Sequence, residues 1–281
     1  MLAQNLIFYA NIFLLTFYKL VFNFFKIVVK YIRVKGEDSP VKILAFDTSN
    51  KTLTVSVMDK NNLLGEITTN VNKNHSVTLM PAIADLMEKV ALTPQDIDRI
   101  VVAQGPGSYT GLRIGVTTAK TLADTLHCEL VGVSSLALLA ANCRNYSGVI
   151  VPLFDARRNN VYTGLYKWHK NELQNIKADT HIALTDLVQQ LAGESDILFV
   201  GEDTAKFLDQ INKMLPQATI NHIPHWQLPS GGVLAELGSK KEPVANIHAF
   251  LPLYLKRVEA EEKWIVAHQD WTGDENYVEK I

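Results

Sequence analysis

The stretch QGPGSYTGLRIG at residues 104–115 is the key to the fold, because it joins a predicted strand to a predicted helix. The apolar residues 100–103 before it are typical of a buried strand, and the residues after it predict a helix over 108–126. Gly105 and Gly107 allow backbone angles that residues with side chains avoid. A glycine-rich turn that opens a helix can also bind phosphate. However, the spacing here matches neither the Gly-Lys-Ser/Thr phosphate loop nor the dinucleotide-binding turn.

The helix that follows carries a stripe of small residues. Gly111, Gly115 and Ala119 are four residues apart, so they lie on one face of the helix. Such a face allows another helix to approach closely. Two interpretations remain open, namely close packing inside the same domain and a helix–helix contact with another subunit.

The residues before this stretch predict a three-stranded meander and a helix. Ile43–Phe46 is a short apolar run, Leu53–Val57 alternates with a period of two, and Leu64–Thr69 predicts the returning strand. Apolar or small residues recur at the helical period over 76–90, which predicts an amphipathic helix. Strands therefore come first and helices follow.

Part of this pattern starts again in the second half of the chain. Val149–Phe154 and Val161–Tyr166 predict two strands separated by a polar turn. Asp47 and Asp155 occupy similar places, because each ends the first strand of its half. We therefore predict two related lobes, one over residues 41–146 and the other, with a polar tail at 265–281, over residues 147–281.

The composition excludes several classes of protein. The chain has 281 residues, of which 47% are hydrophobic and 20% charged, so it can bury a substantial core. Residues 1–40 contain five Lys or Arg and two Asp or Glu, which leaves a formal net charge of −5 on the remainder. This is not the basic excess of a nucleic-acid-binding domain. Only two cysteines are present, which excludes a disulfide scaffold and favours the cytoplasm.

Residues 1–40 differ from the rest in being both apolar and basic. They could be a membrane anchor or an amphipathic helix lying on a membrane. We favour a third interpretation, in which they are not part of the natural protein. The segment is rich in residues encoded by AT-rich DNA, and Val41 could be a GTG start codon preceded by a ribosome-binding sequence. The mass of the purified native protein would test this expectation.

Several motifs in this order resemble the TsaB family, whose members are partner subunits of the bacterial machinery that makes N6-threonylcarbamoyladenosine (t6A) in tRNA. The resemblance covers residues 41 to about 264. The motifs are FDTS (46–49), a helix starting at His75-Ser76, GPGSYTGLRIG (105–115), GVSSL (132–136), DARRNNVY (155–162) and PLYLKRVEAEEKW (252–264).

The resemblance implies an α/β fold of the actin-like, sugar-kinase and Hsp70 (ASKHA) type, with two lobes built on mixed sheets. It also implies a non-catalytic scaffold that binds the catalytic subunit TsaD as a heterodimer and, through it, the ATPase TsaE. A homodimer would form in the absence of TsaD, and tRNA would be contacted only indirectly. The expected partner interface lies on the two predicted helices and comprises Ser76, Leu79, Met80, Ile83, Met87, Tyr109, Gly111, Leu112, Gly115, Thr118 and Ala119.

The resemblance also bears on metal and nucleotide binding. TsaD carries a His-x-x-x-His metal site where this sequence has Ser135 and Leu139, neither of which supplies an imidazole. We therefore expect no metal and no catalytic residue. Asp47, Thr48 and Asp155 stand at the turns that hold ATP in this fold, although capping of the turns is the favoured role. ATP or ADP at a shared interface stays open.

Other functions remain as alternatives to the scaffold. The main one is an ATPase or phosphotransferase of the same fold acting on its own. A metallopeptidase is disfavoured by the missing histidine pair. A membrane-bound scaffold would depend on residues 1–40.

Overall fold

The computed structural model describes residues 41–71 and 74–256. The expectations for residues 1–40 and for the tail at 265–281 lie outside the described residues. Within the described part, no helix combines the length and the apolar character needed to cross a membrane.

The first sheet has the strand order β3-β2-β1-β4-β5. Strands β1 and β2 are antiparallel, as are β2 and β3, whereas β4 and β5 run parallel to β1. The predicted meander is therefore confirmed. The strands are β1 (Lys42–Asp47), β2 (Leu53–Asp59), β3 (Asn62–Thr69), β4 (Arg99–Gly105) and β5 (Glu129–Ser134).

Helices cover both faces of this sheet. On one face, α1 (His75–Lys89) packs on β2 and β3, and α2 (Tyr109–Leu126) packs on β4 and β5. Alternate residues of β1 point to opposite faces, as the period of a strand requires. Leu44 and Phe46 join the core under α1 and α2, whereas Ile43 and Ala45 pack on the opposite face.

The second sheet repeats the topology of the first, with the order β10-β9-β6-β7-β8. Its first three strands in the chain are again antiparallel, and the last two run parallel to the first. Two mixed sheets of the same order confirm the predicted fold class. The strands are β6 (Val149–Asp155), β7 (Asn160–His169), β8 (Glu172–Ala183), β9 (Ile197–Val200) and β10 (Thr219–Ile220).

A short helix, α3 (Ser135–Ala141), lies between the two sheets. Leu138 packs into the core of the first sheet, whereas Leu136 and Leu139 pack into that of the second. The helices α4 (Leu184–Leu191) and α5 (Leu208–Met214) follow in the second half. Because α3 is buried against both sheets, an apolar core joins the two lobes at this helix.

The end of the described chain returns to the first sheet. Helix α6 (Gly231–Ser239) packs on β1 and β2, with Leu234 and Ala235 buried beside Ile43. Phe250 is buried in the core under α1 and α2. The predicted division of the chain therefore needs a correction, because residues 231–256 pack on the first sheet and not on the second. Leu234 and Ala235 cover one face of the first sheet, and Phe250 packs into the core on the other face.

Candidate functional site

The start of α2 packs against the turn that follows β1. The Thr48 hydroxyl donates to the Gly111 carbonyl oxygen at 2.8 Å, and the Ser108 amide donates to the Ser49 carbonyl oxygen at 2.7 Å. A Cβ atom on Gly111 would lie 2.1 Å from the Thr48 carbonyl oxygen, and one on Gly115 would lie 2.5 Å from Thr48 Oγ1. These glycines are therefore needed for the turn and the helix to touch.

This contact resolves the two interpretations of the small-residue stripe. The stripe faces the interior of its own domain, so its assignment to a partner interface is wrong. Seven of the eleven residues expected at that interface are buried, Thr118 is half-buried, and Ser76, Met80 and Tyr109 are exposed. The buried ones are Leu79, Ile83, Met87, Gly111, Leu112, Gly115 and Ala119. The expected interface residues lie mostly on the apolar period of each helix, which is the side that packs on the sheet.

The opposite side of α1 carries exposed apolar side chains. Val77 and Met80 of α1 have 66% and 48% of their surface exposed. The two helices touch each other and share one core, so their solvent-facing sides form one surface. We call it the outer helix face, comprising Val77, Met80, Pro81 and Ala84 of α1 and Ile114, Thr117, Thr118 and Thr121 of α2. Val77 lies off the apolar period of α1. The only sign of its role in the sequence is that an apolar residue stands at a position predicted to face the solvent.

Asp47, at the end of β1, is closed off from solvent. Its side chain is buried, and one carboxylate oxygen accepts from the Ser49 amide at 2.6 Å. Burial raises the pKa of Asp47 above its usual value, while hydrogen bonds from Ser49 act in the opposite direction. Thr48 and Ser49 are buried as well. The three side chains of this turn therefore face the interior of the protein, and the start of α2 covers them.

Asp155, at the end of β6, is held in an internal ion pair. Lys206 donates to its carboxylate at 2.8 Å and to that of Asp203 at 2.8 Å. Partial burial acts to raise the pKa of Asp155, but the hydrogen bonds from Lys206 and Arg157 and the positive charges of these two residues together outweigh it, so the pKa is lowered. Asp155 also accepts from the amide of Arg157 at 2.8 Å. The carboxylates of Asp47 and Asp155, at the two turns where the resemblance places ATP, therefore both accept hydrogen bonds from nearby groups of the protein.

The end of β5 is closed by groups from the second sheet. Asp179 of β8 accepts from the Ser134 hydroxyl and from the Tyr166 hydroxyl, both at 2.5 Å. Burial raises the pKa of Asp179 and that of Tyr166. Ser135 and Leu139, at the positions of the histidine pair in TsaD, are buried. Among residues 41–71 and 74–256, no three His, Cys, Asp or Glu side chains converge in the way that a metal site needs.

We expect Gly115→Leu to destabilise the fold, because its side chain would meet Thr48 at less than van der Waals distance. Overpacking of this kind costs about 2 kcal/mol or more in the free energy of unfolding. Thr117→Leu on the exposed side of the same helix is the control and should change it by about 0.5 kcal/mol or less. Urea denaturation measures both. Wild-type stability of Gly115→Leu would contradict the inward orientation of the stripe.

The raised pKa of Asp47 predicts a pH dependence. A carboxyl group whose pKa is higher in the folded state stabilises the fold below its unfolded pKa of about 3.8, and this contribution is lost as the pH rises through the folded pKa. The free energy of unfolding of the wild type minus that of Asp47→Asn should therefore fall as the pH rises from about 4 to 8. Chemical denaturation at several pH values measures this difference, and a rise with pH would show that the pKa is lowered instead.

Comparison with known proteins gives four findings. The family model described as TsaD, tRNA N6-adenosine threonylcarbamoyltransferase, matches residues 62–264. The tRNA threonylcarbamoyladenosine biosynthesis protein TsaB of Bacillus subtilis is 44% identical over 225 residues, which cover 79% of this chain and 97% of that protein. TsaB of Escherichia coli is 26% identical over 162 residues, 55% of this chain and 69% of that protein. The crystal structure of a Pseudomonas aeruginosa protein with similarity to peptidase YEAZ has a TM-score of 0.66 at 23% identity, covering 77% of this chain and 100% of that chain.

Proposed function

Since the chain belongs to the TsaB family of tRNA threonylcarbamoyladenosine biosynthesis proteins, we propose that it acts in t6A synthesis as a non-catalytic partner subunit. Its outer helix face binds the catalytic subunit TsaD, and TsaE joins the pair. The observation that carries this proposal is the exposure of Val77 and Met80 on α1, a helix whose inner side is already packed on the first sheet.

The closed strand ends support a role without chemistry of its own. In open α/β sheets, ligands bind outside the carboxyl ends of parallel strands. The carboxyl ends of β1 and β5 are covered by Ser108 and Asp179, respectively. Asp155, at the end of β6, is held by Lys206, which it shares with Asp203. The residues at these ends are occupied with one another, which argues against the ATPase or phosphotransferase alternative.

The composition of the outer helix face supports a contact with a protein. It combines Val, Met, Pro, Ala and Ile with Thr, and its centre carries no charge. The core of a protein interface is depleted in charged residues and enriched in Met and aromatic side chains. A homologous subunit would present two similar helices, so the contact would be a four-helix packing. The same face can pair with a second copy of the chain when TsaD is absent.

We also propose that tRNA contacts this chain only indirectly. The formal net charge of −5 after residue 40 disfavours a large contact with a polyanion, so other subunits make most of the contacts with tRNA. The proposed location is the cytoplasm, where the machinery meets its tRNA substrate. The presence of nucleotide at the TsaD interface would depend on groups that TsaD supplies.

We expect Met80→Glu to weaken binding to TsaD by about ten-fold or more, because the interface would bury an unpaired carboxylate. The matched control is Met214→Glu at the end of α5, since Met214 is 40% exposed and lies on the second lobe. Titration calorimetry with purified TsaD measures both affinities. Wild-type affinity of Met80→Glu would place the interface elsewhere.

Reconstitution tests the proposed activity as a whole. TsaD, TsaE, threonylcarbamoyl-adenylate and tRNA are incubated with and without this chain, and t6A is measured in the digested tRNA. We expect t6A formation to require the chain, whereas the chain alone should form none. Equal t6A with and without the chain would rule out the proposed role.

A further inference from the structure

The segment that follows α6 crosses the edge of the first sheet with a turn at residues 248–249, and we call residues 244–254 the strap. The Val244 amide donates to the carbonyl oxygen of Leu130 on the edge strand β5 at 2.8 Å. Further along, the Leu253 amide donates to the carbonyl oxygen of Gln104 at 2.8 Å, and the Gln104 side chain donates back to the Leu251 carbonyl oxygen at 3.0 Å. The backbone of the strap is thus fixed at both ends.

Two glycines of the first sheet make room for the strap. A Cβ atom on Gly132 would lie 2.7 Å from the ring of Phe250, which is buried. A Cβ atom on Gly105 would lie 2.5 Å from the Leu253 carbonyl oxygen, and Gly105 has a φ of +128°, which residues with side chains rarely adopt. Gly132 and Gly105 belong to two motifs of the sequence analysis, and the strap explains why glycine stands at both.

The strap also touches α2 at two places. The Lys120 ammonium donates to the carbonyl oxygen of His248 at 2.7 Å. The ring of Tyr254 stacks on that of Tyr109, the first residue of α2, with centroids 4.8 Å apart. These two contacts are about three helical turns apart. Together with the Thr48 contact on the inner side, they hold α2 from two directions.

We propose that the strap fixes the position of α2 and thereby controls binding at the outer helix face, although the strap is not part of that face. This inference rests on the proposed function. An interface whose helices are fixed in advance binds more tightly, because little ordering remains to be done on association. Release of the strap would let α2 move and lower the population of chains that can bind.

Gly132→Ala tests the inference, because the added methyl group would collide with Phe250 and release the strap. New cleavage within 244–254 by a protease reports the release, and titration calorimetry reports the affinity for TsaD. We expect about five-fold weaker binding or more, as is usual for coupled sites, and faster amide exchange in the first turn of α2. A released strap with wild-type affinity would overturn the inference.

Leu251→Ala is the control on the strap itself, since that side chain is 67% exposed. It should bind TsaD as the wild type does. An equal loss of affinity would mean that the strap contacts TsaD directly, which would also overturn the inference. If Gly132→Ala does not fold, Tyr254→Ala replaces it and is judged by the same two outcomes, because it removes only the partly exposed stack on Tyr109.

The Met80→Glu measurement keeps this inference distinct from the proposed function. If Met80→Glu loses binding but a variant with a released strap binds as the wild type does, only the inference about the strap is refuted, and the proposed interface stands. Wild-type binding in Met80→Glu would refute the interface on which the control depends.

Discussion

The contact between the start of α2 and the turn after β1 is the constraint on which the rest of the structure depends. Gly111 and Gly115 bring the helix so close to Thr48 that no side chain fits between them. The Thr48 hydroxyl is used in a hydrogen bond to the helix, and Asp47 is buried beneath it. This contact covers the carboxyl end of β1, and it also decides which side of α2 faces the solvent.

The two lobes are also joined by close packing. Helix α3 is buried against both sheets, and Asp179 links the Ser134 and Tyr166 hydroxyl groups at its start. Close packing of this kind between the lobes limits how far one can move against the other. Such a protein is suited to hold a partner in one arrangement, since differential contact with two states shifts the equilibrium between them.

The fold could be predicted from the sequence because the strands and helices of the first lobe have clear periods. These periods predict the meander and the helices α1 and α2, and Asp47 and Asp155 mark the repeat of the topology. The orientation of α2 could not be predicted, because a stripe of glycines fits a neighbouring strand turn as well as a neighbouring helix. Only the distance from Gly115 to Thr48 distinguishes the two.

The return of residues 231–256 to the first sheet could not be predicted, for a related reason. Helix α6 has no feature that ties it to one sheet rather than the other, and the strap has no periodic pattern. The buried Phe250 and the glycine at 132 become a recognisable pair only when they are seen together in space. Contacts between residues far apart in the chain leave little trace in the local pattern.

The central claim is that the outer helix face binds TsaD. The rate at which methionine side chains are oxidised, with and without TsaD, tests it most directly. Met80 is 48% and Met214 40% exposed, whereas Met87 is 6% exposed. We expect TsaD to slow the oxidation of Met80 and to leave that of Met214 unchanged. Met87 should be protected from oxidation even in the free chain. Oxidation of Met80 at the same rate in the free chain and in the complex would contradict it.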